Sequence, residues 1–293
     1  MKAEQIKPTL FALLAAALYA VNSPLSKLLL EDVPATMMAA LLYLGAGIGV
    51  SLMTLARKAM SHDSRELPLT KKELPYVVAM VLLDIAAPLC LMLGLTRTTA
   101  ANASLLNNFE IVATSVIALC AFHERISPRL WLAIALVTLA SLLLSFEDAS
   151  SLSFSWGSLL VLLACAFWGL ENNCTRMLSG KDPLRIVIVK GFGSGLGALL
   201  IAFAAGERLP ALPLVLAALA LGFVAYGLSI TCYIYAQRGL GAARTSAWYA
   251  VSPFVGAGLS LLIFRQTPSL SFLAALAVMA TGAWFAATDG IRN

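Results

Sequence analysis

The chain has 293 residues, 60% of them hydrophobic and 12% charged, with a formal net charge of +5. A water-soluble domain needs about a quarter of its residues charged to cover its surface, so most of this surface faces lipid. The basic excess does not mark a nucleic-acid binder, because the lysines and arginines sit in short gaps between long apolar runs.

A helix needs about 20 apolar residues to cross the hydrocarbon core. Charge-poor runs bounded by charges, proline or glycine predict ten spans, near 8–30, 33–56, 74–96, 98–122, 127–146, 154–178, 184–206, 210–237, 240–264 and 269–288. The first opens with a weakly basic segment, as a signal peptide does. Its apolar run continues to Leu30, longer than a signal h-region, so it reads as a retained span. Tyr19, Asn22, Ser23 and Ser26 form one polar stripe on it. The second carries Gly45-x-x-x-Gly49. The third carries Asp84, and Pro88 frees that residue's carbonyl. On the fourth, Ala103, Asn107, Glu110 and Thr114 share a face. The fifth needs its apolar flank from Ile126 to reach full length.

The sixth span carries Trp168, Glu171, Asn172 and Thr175 at the same spacing as the stripe on the first. The seventh holds Lys190 and two further glycine seams, Gly191-x-x-x-Gly195 and Gly193-x-x-x-Gly197. These seams suit packing within the bundle, with a homodimer interface as the second use. The eighth presents Tyr226, Ser229 and Tyr233, and the ninth Thr245, Tyr249, Ser252 and Gly256. Pro24 and Pro253 lie inside the first and ninth spans and free the carbonyls of Ala20 and Tyr249. The connections are short, and no soluble domain or linker is visible.

Basic residues partition fifteen to four across the two sides if the N-terminus is cytoplasmic, with Lys190 inside a span. The positive-inside rule therefore places both termini in the cytoplasm of an inner-membrane protein. The five cysteines lie in apolar runs without CxxC spacing, and His62 and His123 stand apart in charged gaps. Neither a disulfide framework nor a metal site is expected. No Walker motif occurs, so ATP hydrolysis is not the energy source, and no cofactor is expected.

The halves 1–150 and 151–293 lie over one another as two repeats of five spans. A shift of 149 sets Tyr19-Ala20-Val21-Asn22-Ser23 on Trp168-Gly169-Leu170-Glu171-Asn172, Lys27 on Arg176 and Pro34 on Pro183. A shift of 148 sets Gly45, Gly47 and Gly49 on Gly193, Gly195 and Gly197. A shift of 142 sets Phe122-His123-Glu124 on Phe264-Arg265-Gln266, and Ser127 on Ser269. An odd number of spans per repeat inverts the second copy, a signature of secondary transporters whose site lies near the midplane between the halves.

With these features the sequence resembles the EamA branch of the drug/metabolite transporter superfamily. Ala103–Pro128 and Thr245–Ser269 look like that family's small-residue start, mid-helix proline and helix-end glutamate. The second half keeps the proline as Pro253, whereas Ile111 replaces it in Asn107-Asn108-Phe109-Glu110-Ile111. The first half keeps the glutamate as Glu124, whereas the second has Gln266. The resemblance implies an all-α membrane protein, a basket of ten helices as two inverted five-helix repeats around a central cavity. It implies an exporter or exchanger of small metabolites, amino acids among them.

Asp84, Glu110, Glu171 and Lys190 each cost about 2.5–3.5 kcal/mol near the centre of a lipid-facing helix, so they are expected to face a polar cavity or one another. The candidate substrate-binding residues are Tyr19, Asn22, Asp84, Asn107, Glu110, Trp168, Glu171, Lys190, Tyr226 and Tyr249, with Glu110 and Asp84 as coupling carboxylates. Glu171 and Lys190 also suit a structural ion pair, and single Ser, Thr and Asn residues also suit interhelical hydrogen bonding. The partners expected are a small-molecule substrate, an amino acid or amine, and the bilayer. An integral membrane enzyme or an assembly protein is the alternative, but the spans hold no HExxH, GxSxG or Cys–His pair, and an assembly protein needs no midplane carboxylates.

Overall fold

The computed structural model describes residues 3–59, 67–122, 127–148, 153–240, 245 and 248–289. Glu124 and His123 lie outside the described residues, as do His62, the rest of the charged stretch 60–66, and both chain ends.

The first apolar run folds as α1 (Ala3–Ala20) and α2 (Asn22–Leu29), and the second as α3 (Ala35–Ala59). Then follow α4 (Leu74–Arg97), α5 (Ala100–Leu106), α6 (Phe109–Phe122) and α7 (Pro128–Ser145). A short antiparallel pair, β1 (Phe146–Asp148) and β2 (Ser153–Phe154), joins the halves. The second half holds α8 (Trp156–Leu178), α9 (Pro183–Ala204) and α10 (Leu212–Gly222). A π-helical turn (Phe223–Leu228) leads into α11 (Ser229–Leu240), and α12 (Ser252–Ile263) and α13 (Leu270–Asp289) complete the chain. Six helical stretches among the described residues are long and apolar enough to cross a membrane, and 128–144, 252–263 and 270–286 are shorter apolar helices. Leucines such as Leu10, Leu52, Leu200 and Leu262 stand exposed around the outside, where lipid suits them.

Local chemistry sets the starts and breaks. The Thr99 hydroxyl accepts from Asn102 N before α5, Ser155 Oγ accepts from Ser158 N before α8, and Asp182 accepts from Leu184 N before α9; each satisfies an orphan donor of the first turn. Pro24 cannot donate to Ala20, and the first span breaks at Val21. Pro253 likewise sits in the first turn of α12, just after the break at Ala250–Val251. The fourth span has no proline yet breaks at the equivalent height, Asn107–Asn108. Asparagine is a weak helix former, and here the backbone turns through i→i+3 bonds, Asn108 N to Leu105 O and Glu110 N to Asn107 O. Pro88 does not break α4.

The principal pairings are α4 with α8, α1 with α11, α6 with α8, α1 with α12, α4 with α9 and α10 with α3. Three further pairs, α3 with α9, α5 with α12 and α7 with α13, complete the set. Charges tie helix ends where the dipole favours them. Glu207 Oε2 accepts from Met37 N at the start of α3 (2.7 Å), and Lys27 donates to the Leu95 and Thr98 carbonyls at the end of α4.

The glycine seams are filled within the one chain: Gly45 meets Leu219, Gly195 meets Leu44, and Gly191 meets Gly47. A Cβ on Gly191 would fall 2.5 Å from Gly47 Cα and 2.9 Å from the Tyr43 carbonyl oxygen. Backbone cannot swing aside, so α3 and α9 would have to separate. Gly191→Ala is expected to cost about 1–3 kcal/mol, the range of overpacking. Thermal unfolding in detergent checks this against Gly258→Ala, whose Cβ meets nothing within 4 Å.

Candidate functional site

Lys190 on α9 is buried between two carboxylates from different helices. Its Nζ lies 2.8 Å from Glu171 Oε1 on α8 and 3.0 Å from Asp84 Oδ2 on α4. Asp84 Oδ2 accepts no aligned hydrogen bond, so charge carries that contact. The other oxygen of Asp84 accepts from the Tyr43 hydroxyl at 2.8 Å, and the Thr175 hydroxyl donates to Glu171. These side chains are nearly sealed from solvent, Asp84 at 0%, Glu171 at 2% and Lys190 at 4% exposed. Two buried acids thus share one base, with their remaining lone pairs partly met by hydroxyls.

Glu110 is differently placed. It sits in the first turn of α6, just past the Asn107–Asn108 break, half-buried and, among the described residues, without an ion pair. Its Oε1 accepts from the Asn172 amide at 2.5 Å, and the same nitrogen is 3.5 Å from Thr114 Oγ1. Among the described residues its direct hydrogen bond is therefore from a neutral donor.

Between Glu110 and the Lys190 cluster lies a cavity of about 60 Å³. A buried water needs about 10–15 Å³ on this measure, so the space takes a few water-sized groups. Six aromatic rings wall it: Tyr19, Tyr43, Trp168, Tyr226, Tyr233 and Tyr249. They touch in series, with Tyr19 and Tyr249 5.7 Å apart, Tyr19 and Tyr226 5.8 Å, and Tyr43 and Tyr226 5.0 Å between centroids. Tyr233 stands 5.0 Å from Tyr249. The lining thus sets the Glu110 carboxylate and the Lys190 ammonium among aromatic rings.

Of the residues singled out in the sequence, Tyr19, Glu110, Trp168, Glu171, Lys190, Tyr226 and Tyr249 line this cavity. Asp84 lies behind it, reached through Tyr43 and Lys190. Asn22 is fully buried and holds the back of the wall, its amide donating to the Tyr226 hydroxyl at 3.0 Å and its carbonyl accepting from Ser26. Asn107 does not reach the cavity. The face it was expected to share with Glu110 exists only on an unbroken helix, and the chain turns between them. Asn172, Thr175, Tyr233 and Tyr43 join the lining. The first three continue the stripes read on the sixth and eighth spans. Tyr43 could have been found from the repeat, since a shift of 148 sets it on Gly191, beside Lys190. Among the described residues no cluster of His, Cys, Asp and Glu is arranged to hold a metal ion.

A model of the EamA-like transporter family matches the chain at residues 6–146 and 155–288. A protein of Methanothermobacter thermautotrophicus described as an uncharacterized transporter is 27% identical over 94% of this chain and 84% of its own length. A solved crystal structure superposes on 95% of this chain and 96% of its own with a TM-score of 0.68 and 18% sequence identity, a likeness of fold.

Proposed function

Because the chain belongs to the EamA-like transporter family and is a multi-pass membrane protein, we propose that it is a secondary transporter of small amine-bearing metabolites, amino acids or simple amines, in the inner membrane. It works by alternating access as an exporter or exchanger, with Glu110 as the carboxylate that couples cargo to protons. The observation that carries this reading is the aromatic cavity where Glu110, among the described residues, forms no ion pair. Lys190, in the same lining, makes its direct contacts with Asp84 and Glu171 instead. An ammonium group is the partner that Glu110 lacks.

The architecture proposed is ten spans in two inverted repeats, 1–150 and 151–293, with both termini cytoplasmic. Helix pairing supports it. If each span is exchanged with the one five places on, α4 with α8 becomes α11 with α1, and α6 with α8 becomes α12 with α1. By the same exchange α4 with α9 becomes the α10–α11 span with α3, and the pairs α3–α9, α5–α12 and α7–α13 map onto themselves. The two consecutive matches to one family model support the same reading.

The test is counterflow. Proteoliposomes loaded with one amine from a panel of amino acids and simple amines are expected to take up the same labelled compound against its gradient. Carboxylic acids without an amine should give none. Uptake of the acids alone would sink the assignment, and no counterflow with any compound would return the enzyme and assembly readings.

A further inference from the structure

Four polar side-chain atoms lie in the core outside the central cavity without a hydrogen-bond partner: Ser104 Oγ, Asn108 Oδ1 and Nδ2, and Ser252 Oγ. All three residues are at most 2% exposed. They lie on the fourth and ninth spans, which pack on each other, the ninth also packing on the first. A Cβ on Gly256 of α12 would lie 2.9 Å from the Ala20 carbonyl oxygen and 3.0 Å from Ser104 Oγ, so those two oxygens are within about 6 Å of each other. Ala20 ends α1, and Pro24 denies its carbonyl the usual helical donor. The fourth and ninth spans are antiparallel in the proposed topology, so one turn from the Ser104–Gly256 contact Asn108 comes level with Ser252. The rings of Tyr19, which precedes Ala20, and Tyr249, three residues before Ser252, wall the central cavity on this side.

A polar cluster kept only for packing would bond its members to one another. Asn108 offers a donor and an acceptor, Ser104 stands one turn away, and neither forms a bond. Unpaired groups at such depth are costly in this state and useful only in another. Resting on the transport reading, we infer that Ser104, Asn108, Ser252 and the Ala20 carbonyl form an outer station of the translocation path. It is buried and closed here, and it is offered to the hydrogen-bonding groups of the cargo when Tyr19 and Tyr249 part.

The test uses single cysteines at Ser104 and Ser252 in a variant whose five native cysteines are replaced. A membrane-impermeant maleimide is added to intact cells or to inside-out vesicles, with Tyr233→Cys as the inner-cavity control. The expected result is labelling of both outer positions in cells but not in inside-out vesicles, and the reverse for Tyr233→Cys. Asn108→Leu is expected to hold or raise the thermal midpoint in detergent and to slow labelling of Ser104→Cys by about tenfold. Labelling of the outer positions from neither side, with Tyr233→Cys reactive, would make the cluster purely structural. A lowered midpoint in Asn108→Leu would make it an occupied water or ion site instead. An unreactive Tyr233→Cys would take the transport reading down with it.

Discussion

Replacing Lys190 by methionine is expected to destabilise the protein by about 3–5 kcal/mol, since breaking a buried ion pair strands its partner, and here two carboxylates are stranded. Glu171→Gln or Asp84→Asn alone leaves Lys190 one acid, so each should cost less. Lys190→Met with Glu171→Gln still leaves Asp84 buried and uncompensated, whereas adding Asp84→Asn removes every charge and should recover most of the loss. Thermal unfolding of the five variants in detergent gives this order directly. Wild-type stability in Lys190→Met would mean that the lysine is not the counter-ion of these acids. If cargo binding were also lost, its role would move to substrate contact.

Glu110→Gln is expected to separate two fluxes. Glutamine keeps the size and the hydrogen bond with Asn172 but cannot take up or release a proton. Cargo-for-cargo exchange at saturating concentration should persist, with half-saturation raised about tenfold as one charge-assisted contact becomes neutral. Accumulation driven by an imposed pH difference should disappear. Both are measured in proteoliposomes. Undiminished accumulation would exclude Glu110 as the proton carrier and pass the role to Asp84 or Glu171.

The sequence showed the apolar runs and most of the cavity residues, because charges inside a span have few places to go. It showed less about where helices stop. Pro24 and Pro253 marked two breaks, yet Pro88 broke nothing and Asn107–Asn108 broke a span with no proline at all. A proline removes one hydrogen bond, which a membrane helix tolerates when neighbours enclose the gap. Two adjacent asparagines, both weak helix formers, let the chain pass through a tighter turn of i→i+3 backbone bonds, Asn108 N to Leu105 O and Glu110 N to Asn107 O. Periodicity also fixes which residues share a face but not how that face is rotated against its neighbours. The pair Glu171–Lys190 was therefore readable as one of two options, while Asp84 and Tyr43 as its further members depended on the packing of α3 and α4 beside α9. The π-helical turn at Phe223–Leu228, which carries Tyr226 into the wall, left no mark in composition.

The clasp of Asp84, Lys190 and Glu171 has an electrical meaning. Each unit charge carried across the membrane is worth about 2.3 kcal/mol per 100 mV. The charges in the clasp hold one another and stay with the protein, which leaves Glu110 as the carboxylate to be neutralised from outside. In the proposed cycle with a simple amine of net charge +1, it gives up a proton and takes the ammonium, then does the reverse on the other side, and one positive charge moves each way. Such a cycle is silent to voltage: the pH difference drives it, and a change in membrane potential leaves it running at the same equilibrium.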